Sequence, residues 1–308
     1  MCNLVRVSIL KVFGKDKLRD IEVYIGDSNE QVLSGLRGAI RDCGMPRVRT
    51  FARIADLIRA FNDALPDLLI AGIDMDPALL DVVHNIRHFK IGRNPFLVIS
   101  LMVSADKVGA ANSALLAGVD DVMVKPVVPG KMLDRLARLT MNRRPFIVTN
   151  DYLGPERWKQ DDVHKSKIKQ INVVNTLKAK ATGRPLSVAE VGRAVDANMK
   201  EVMSARLDSH GLKLGWVCGK ILKAYHEKHV DGELGANLLT LVGVLEGAAR
   251  AAGALGDPDL SRICTTMARE VGEVAECYQN PTSLQISVIH KLTVAFELAK
   301  AAKQNSPS

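Results

Sequence analysis

The chain has 308 residues, 47% of them hydrophobic and 25% charged, with a formal net charge of +8. That balance excludes a disordered polar chain and leaves room for two domains with their own cores. No apolar run reaches the roughly 18 residues of a membrane-spanning helix.

Aromatic residues make up only 4%, so packing rests on Ala, Val, Leu and Ile. Five cysteines (Cys2, Cys43, Cys218, Cys264, Cys277) are scattered, without a C-x-x-C pair. They point to a reducing cytoplasm and to neither a disulfide framework nor zinc. Positive charge is spread along the chain, with one concentration from Arg157 to Arg184 that reads as a solvated linker.

Residues 1–19 predict a short amphipathic helix. Its apolar run from Leu4 to Phe13 is broken by Arg6 and Lys11, so it lacks the core of a signal peptide. The pattern then alternates. Ile21–Ile25 and Arg47–Phe51 predict short strands. Leu68–Ile73 predicts a central strand buried on both sides, and Pro95–Leu101 and Val122–Val124 predict two more. Helical stripes fall between them: Val32 to Ile40 behind an Asp27-Ser28 cap, Ile54 to Phe61, 78–90, 106–117, and Gly130–Leu139. This order predicts an open doubly wound parallel sheet over residues 20–141, with its site beyond the carboxyl ends of the strands.

Three segments at those ends are recognisable: Pro66-Asp67-Leu68-Leu69-Ile70-Ala71, Pro95-Phe96-Leu97-Val98-Ile99-Ser100, and Ala117-Gly118-Val119-Asp120-Asp121-Val122-Met123-Val124-Lys125-Pro126. Together they resemble the receiver domain of bacterial two-component response regulators, over nearly half the chain. The resemblance implies an aspartate after the third strand that accepts a phosphoryl group, two acids after the first strand that help hold Mg²⁺, and a hydroxyl and a lysine that bind phosphoryl oxygens. Lys125 fits the lysine, Ser100 the hydroxyl, and Asp27 the second acid. Gly26 stands for the first acid and Gly72 for the acceptor. The resemblance also implies a cis peptide between Lys125 and Pro126. With two carboxylates missing, the site is expected to be degenerate, without metal or cofactor, and Lys125 and Asp27 are free to pair with each other.

Asp74 and Asp76 are possible substitute acids. Asp74, however, lies two residues beyond the acceptor position, about 6–7 Å further at strand rise. The plainer reading is that both cap the next helix, since Asp76-Pro77 has the form of an N-cap and N1 proline.

Residues 142–184, which include Asn150-Asp151 and Gly154-Pro155, are expected to form an ordered linker. From 185 to 308 the apolar spacing is helical. Stripes run through Val188–Leu207, Leu214–Tyr225, Leu234–Leu245, Leu260–Tyr278 and Leu284–Ala299, predicting five helices in a bundle with glycines 211, 232 and 256 near the turns. No histidine has the neighbourhood of a phosphotransfer site. His226 and His229 fit a polar helix end, and Asp81, His84 and His88 fit a surface face. Ser187–Leu207 has a faint helix-turn-helix look, but an uninterrupted helix suits its spacing better.

The sequence thus predicts α/β plus all-α architecture and a non-enzymatic signalling adaptor with protein partners. The wide stripe through Leu260, Ile263, Met267, Val271 and Val274 is the expected interaction face, making a homodimer the expected assembly. DNA binding, as in a transcriptional response regulator, and a phosphorelay role with an unusual acceptor are the alternatives.

Overall fold

The computed structural model describes residues 15–107, 109–157 and 169–304. Most of the expected N-terminal helix lies outside them, and the described part is a single turn, Lys15–Leu18. The chain divides into two compact units. One holds the described residues up to Ile147 together with Tyr152–Asn198, and the other holds Val148–Asp151 and the described residues from Met199 onward.

The first unit is built on five parallel strands: β1 (Glu22–Gly26), β2 (Arg47–Phe51), β3 (Leu68–Gly72), β4 (Val98–Val103) and β5 (Asp121–Val124). Their order is β2-β1-β3-β4-β5, the flavodoxin-like doubly wound order. Five helices alternate with them: α1 (Glu30–Asp42), α2 (Ile54–Asp63), α3 (Leu79–Arg87), α4 (Gly109–Leu116) and α5 (Pro129–Met141).

Alternation along each strand divides the core in two. Leu68 and Ile70 pack with Leu33, Leu36, Leu133 and Leu136 on the α1–α5 side. Leu69 and Ala71 pack with Leu57, Phe61, Val83 and Ala114 on the α2–α4 side. Every residue of β3 and β4 is buried, which is why both read as continuous apolar runs. The cap of α1 differs from expectation by two residues. Asn29 accepts hydrogen bonds from the Gln31 and Val32 amides, while Asp27 turns back and accepts from Asn29 N.

β4 begins and ends later than its apolar run suggests. The carbonyls of Pro95 and Leu97 accept from Arg87 Nη1, both at 2.7 Å, and that of Phe96 from Arg143 Nη1. The ladder starts only at Val98 and runs on to Val103. This displacement matters at the other end of the strand.

Apart from Val148–Asp151, the described part of the expected linker belongs to the first unit. It carries short strands β6 (Phe146–Val148) and β7 (Leu153–Pro155) and the helix α6 (Thr176–Ala181). Phe146 and Ile171 exchange two backbone hydrogen bonds at 2.8 Å, and Leu177 and Ala181 enter the core beside Leu18, Ile21 and Met45.

Among the described residues the helical part has four helices, not five: α7 (Val188–His226), α8 (Gly232–Ala254), α9 (Pro258–Glu276) and α10 (Ser283–Gln304). The partition of the chain falls inside α7. Val191 and Val195 are buried in the first unit, where Asn198 Oδ1 accepts from Val174 N at 2.8 Å. From Leu207 on, α7 joins a core with Leu238, Leu245, Cys264, Val271, Ile289 and Phe296. The expected turn at Gly211 is absent. A Cβ there would lie 2.8 Å from the Phe296 ring, so this glycine admits a close neighbour and does not break the helix. Asp231 and Asp257 cap α8 and α9, with Pro258 in the first turn.

Candidate functional site

The carboxyl ends of β1, β3, β4 and β5 converge on one charged cluster. Lys125 follows β5, its amide donating to Val103 O at 2.8 Å, and the Lys125–Pro126 peptide is cis. Lys125 Nζ lies 2.7 Å from Asp27 Oδ2 and 2.7 Å from Asp74 Oδ1. The other oxygen of Asp74 accepts from Ser104 Oγ at 3.3 Å. Asp27 is fully buried and the Lys125 side chain is 17% exposed.

Asp74 does not lie beyond reach, as an extended chain would place it. The chain turns into a 3₁₀ segment, Ile73–Met75, directly after β3 and folds the carboxylate back. Gly72 makes the space. A Cβ there would lie 2.8 Å from both Asp74 Oδ1 and Lys125 Nζ, and closer still to Asp27 Oδ2. The space beside Gly26 is also filled, since a Cβ there would meet Met75 Sδ at 2.8 Å.

Burial works against both charges, raising the Asp74 carboxyl and lowering the Lys125 ammonium. Their hydrogen bond, with Asp27 on the other side of the lysine, outweighs it: Asp74 is held below its usual value and Lys125 above its own. Two carboxylates around one ammonium leave the cluster net negative. An incoming phosphoryl anion therefore meets a lysine already engaged twice and a repulsive field.

Ser100 is not part of this cluster. It sits in mid-strand opposite Ile70 and Asp121, 1% exposed, with its hydroxyl unpartnered. Ser104, four residues on and about 13 Å further along the chain, supplies the hydroxyl. The late ending of β4 moves the site to Ser104. Asp76 stays apart, accepting from Ala78 N at 2.8 Å at the entry to α3. Beside the cluster opens a groove of about 490 Å³, lined by Val32 and Leu36 of α1, Met102, Ser104, Pro126 and Val127.

The expected interaction face needs correction. Leu260, Met267, Val271 and Val274 are buried and Ile263 partly so, all within the helical unit's own core. The large apolar side chains that α7–α10 leave exposed among the described residues are Val188, Leu212, Trp216, Leu239, Leu284, Val294 and Leu298. Among the described residues no group of three or more His, Cys, Asp or Glu could hold a metal ion. His84 and His88 stack at 3.9 Å instead of converging with Asp81, and His229 approaches Glu227 at the end of α7.

At the opposite end of the sheet lies a network absent from the sequence reading. Asp120 is buried and bound by Arg87, Arg143 and the Ile99 amide. The Phe146 ring lies 5.2 Å and 4.8 Å from the two guanidinium carbons.

Neither a scan against protein-family models nor a search of curated proteins finds a match to this chain. Fold and site together define an open doubly wound α/β unit with a charge-closed carboxyl edge, followed by a helical unit. No helix among the described residues is long and apolar enough to cross a membrane.

Proposed function

We propose that this chain is a two-component-type signalling protein whose receiver-like domain works without phosphorylation, as a protein-binding adaptor. One observation carries the reading: Gly72 offers no acceptor, and the lysine that would hold a phosphoryl group is neutralised by Asp27 and Asp74. The protein is then neither an enzyme nor a cofactor binder, and it acts in the cytoplasm through protein contacts. Self-association or partner binding falls to the exposed apolar side chains of the helical unit, since the stripe through Met267 is used inside it.

The test is incubation with acetyl phosphate and Mg²⁺ followed by intact-mass measurement. No phosphoryl adduct is expected. An adduct on Asp74 favours the second reading, in which Asp74 is an unusual acceptor; its contact with Lys125 and its 30% side-chain exposure support that reading. The DNA-binding alternative finds no helix-turn-helix in Ser187–Leu207, where α7 is one uninterrupted helix from Val188.

A further inference from the structure

We infer that Asp74 is a built-in counter-ion, a latch that ties the loops after β4 and β5 together without any ligand. The inference rests on the adaptor reading and specifies how that site is regulated. The four polar groups come from four separate strand ends: Asp27 after β1, Asp74 after β3, Ser104 after β4 and Lys125 after β5. Asp27 pairs with Lys125 alone among the other three. Lys125 reaches Asp27 and Asp74, but Asp74 is the member that links the loops after β4 and β5, one oxygen on Lys125 at 2.7 Å and the other on Ser104 at 3.3 Å.

Asp27 already balances the charge of Lys125, so the second carboxylate is not needed for neutrality. Its effect is geometric: it joins the Ser104 segment to the Lys125–Pro126 segment, both of which line the groove beside α1. The space it occupies exists because residue 72 has no side chain. The anion that orders these loops is therefore encoded in the chain, and the groove keeps one shape whether or not a phosphodonor is present. Nothing needs to be added to set it, and loss of the Asp74 charge releases it.

Hydrogen exchange of the full chain tests this, comparing the parent with Asp74→Ala and Asp74→Asn. Peptides covering 102–107 and 124–129 should exchange about tenfold faster in Asp74→Ala, with a smaller change in the isosteric Asn variant. Peptides from β1, α1 and α8 should be unchanged. Ser104→Ala, which leaves the Lys125 contact intact, should loosen 102–107 only. The latch is overturned if neither loop responds, if only one responds in Asp74→Ala, or if every peptide speeds up equally in both Asp74 variants. Failure of the underlying reading looks different: the parent gains a phosphoryl group from acetyl phosphate, whatever the exchange of the variants.

Discussion

Arg143 grips Asp120 along one edge of its guanidinium, Nε to Oδ1 at 2.7 Å and Nη2 to Oδ2 at 3.0 Å. The Asp120 side chain is buried beneath this contact, so Arg143, just beyond α5, fastens the start of β5 to the start of β4. Without Arg143, Asp120 keeps Arg87 and the Ile99 amide but loses two charge-assisted hydrogen bonds. Arg143→Ala should therefore lower stability by about 1–3 kcal/mol in urea denaturation. Arg143→Lys should rescue little, because an ammonium cannot reproduce the fork. Burial alone would raise the Asp120 carboxyl, but Arg143 and Arg87 bring it below the ordinary aspartate value. Its contribution is full above that value and is lost as pH falls through the lower folded one.

Placing an acid at position 72 should not create a phosphoryl acceptor. In Gly72→Asp the new side chain meets the Asp74 carboxylate and the Lys125 ammonium within 2.8 Å of its Cβ, and a third negative charge joins the cluster. We expect no phosphoryl adduct by mass and a stability loss of about 1–3 kcal/mol from crowding. Gly72→Asp combined with Asp74→Ala should recover part of that stability. Labelling of the single variant would refute this account of the site.

Met267 is 8% exposed and faces the core shared by α7, α8, α9 and α10. Met267→Glu should bury an unpaired carboxylate and cost about 3 kcal/mol or more, seen as lost helical circular dichroism at low urea. Arg262, whose side chain is 77% exposed, should tolerate alanine within about 0.5 kcal/mol. A Met267→Glu protein that stays folded and merely halves its mass in light scattering would return the stripe to an interface role.

His210 titrates against folding. Its ring packs so closely on Gly247 that no side chain fits there, and its Nδ1 has no partner. Burial first, then the nearby Arg206, Arg250 and Lys213, push its pKa from 6.5 down to about 4, with Asp151 opposing weakly. The folded chain thus binds fewer protons than the unfolded chain between those values. Stability should be full above pH 6.5 and fall by about 1–2 kcal/mol on going from pH 7 to pH 5. His210→Gln should flatten this slope, as read by urea midpoints at the two pH values.

The sheet was legible because strands buried on both faces leave unbroken apolar runs, as Leu68 to Ala71 does. The limits of β4 were not. Which carbonyls leave the ladder is decided by Arg87 and Arg143, and the Arg143–Phe96 contact spans 47 residues. That error moved the hydroxyl from Ser104 to Ser100. Asp74 was misplaced for a related reason: strand rise assumes extended chain, and the turn at Ile73 is compact. Periodicity located the stripe through Met267 but not the helices that cover it. Gly211 looked like a turn because a glycine that ends a helix and one that admits a phenyl ring are the same letter.

The filled space around Gly72 bears on how such a site could change over generations. A glycine with open space beside it accepts a side chain by one substitution. Here atoms of Asp27, Asp74 and Lys125 occupy the space a Cβ would need, so a side chain at residue 72 is unfavourable unless residue 74 changes as well. The two positions are tied in order, and a mutational path that gives residue 72 a side chain passes through residue 74 first.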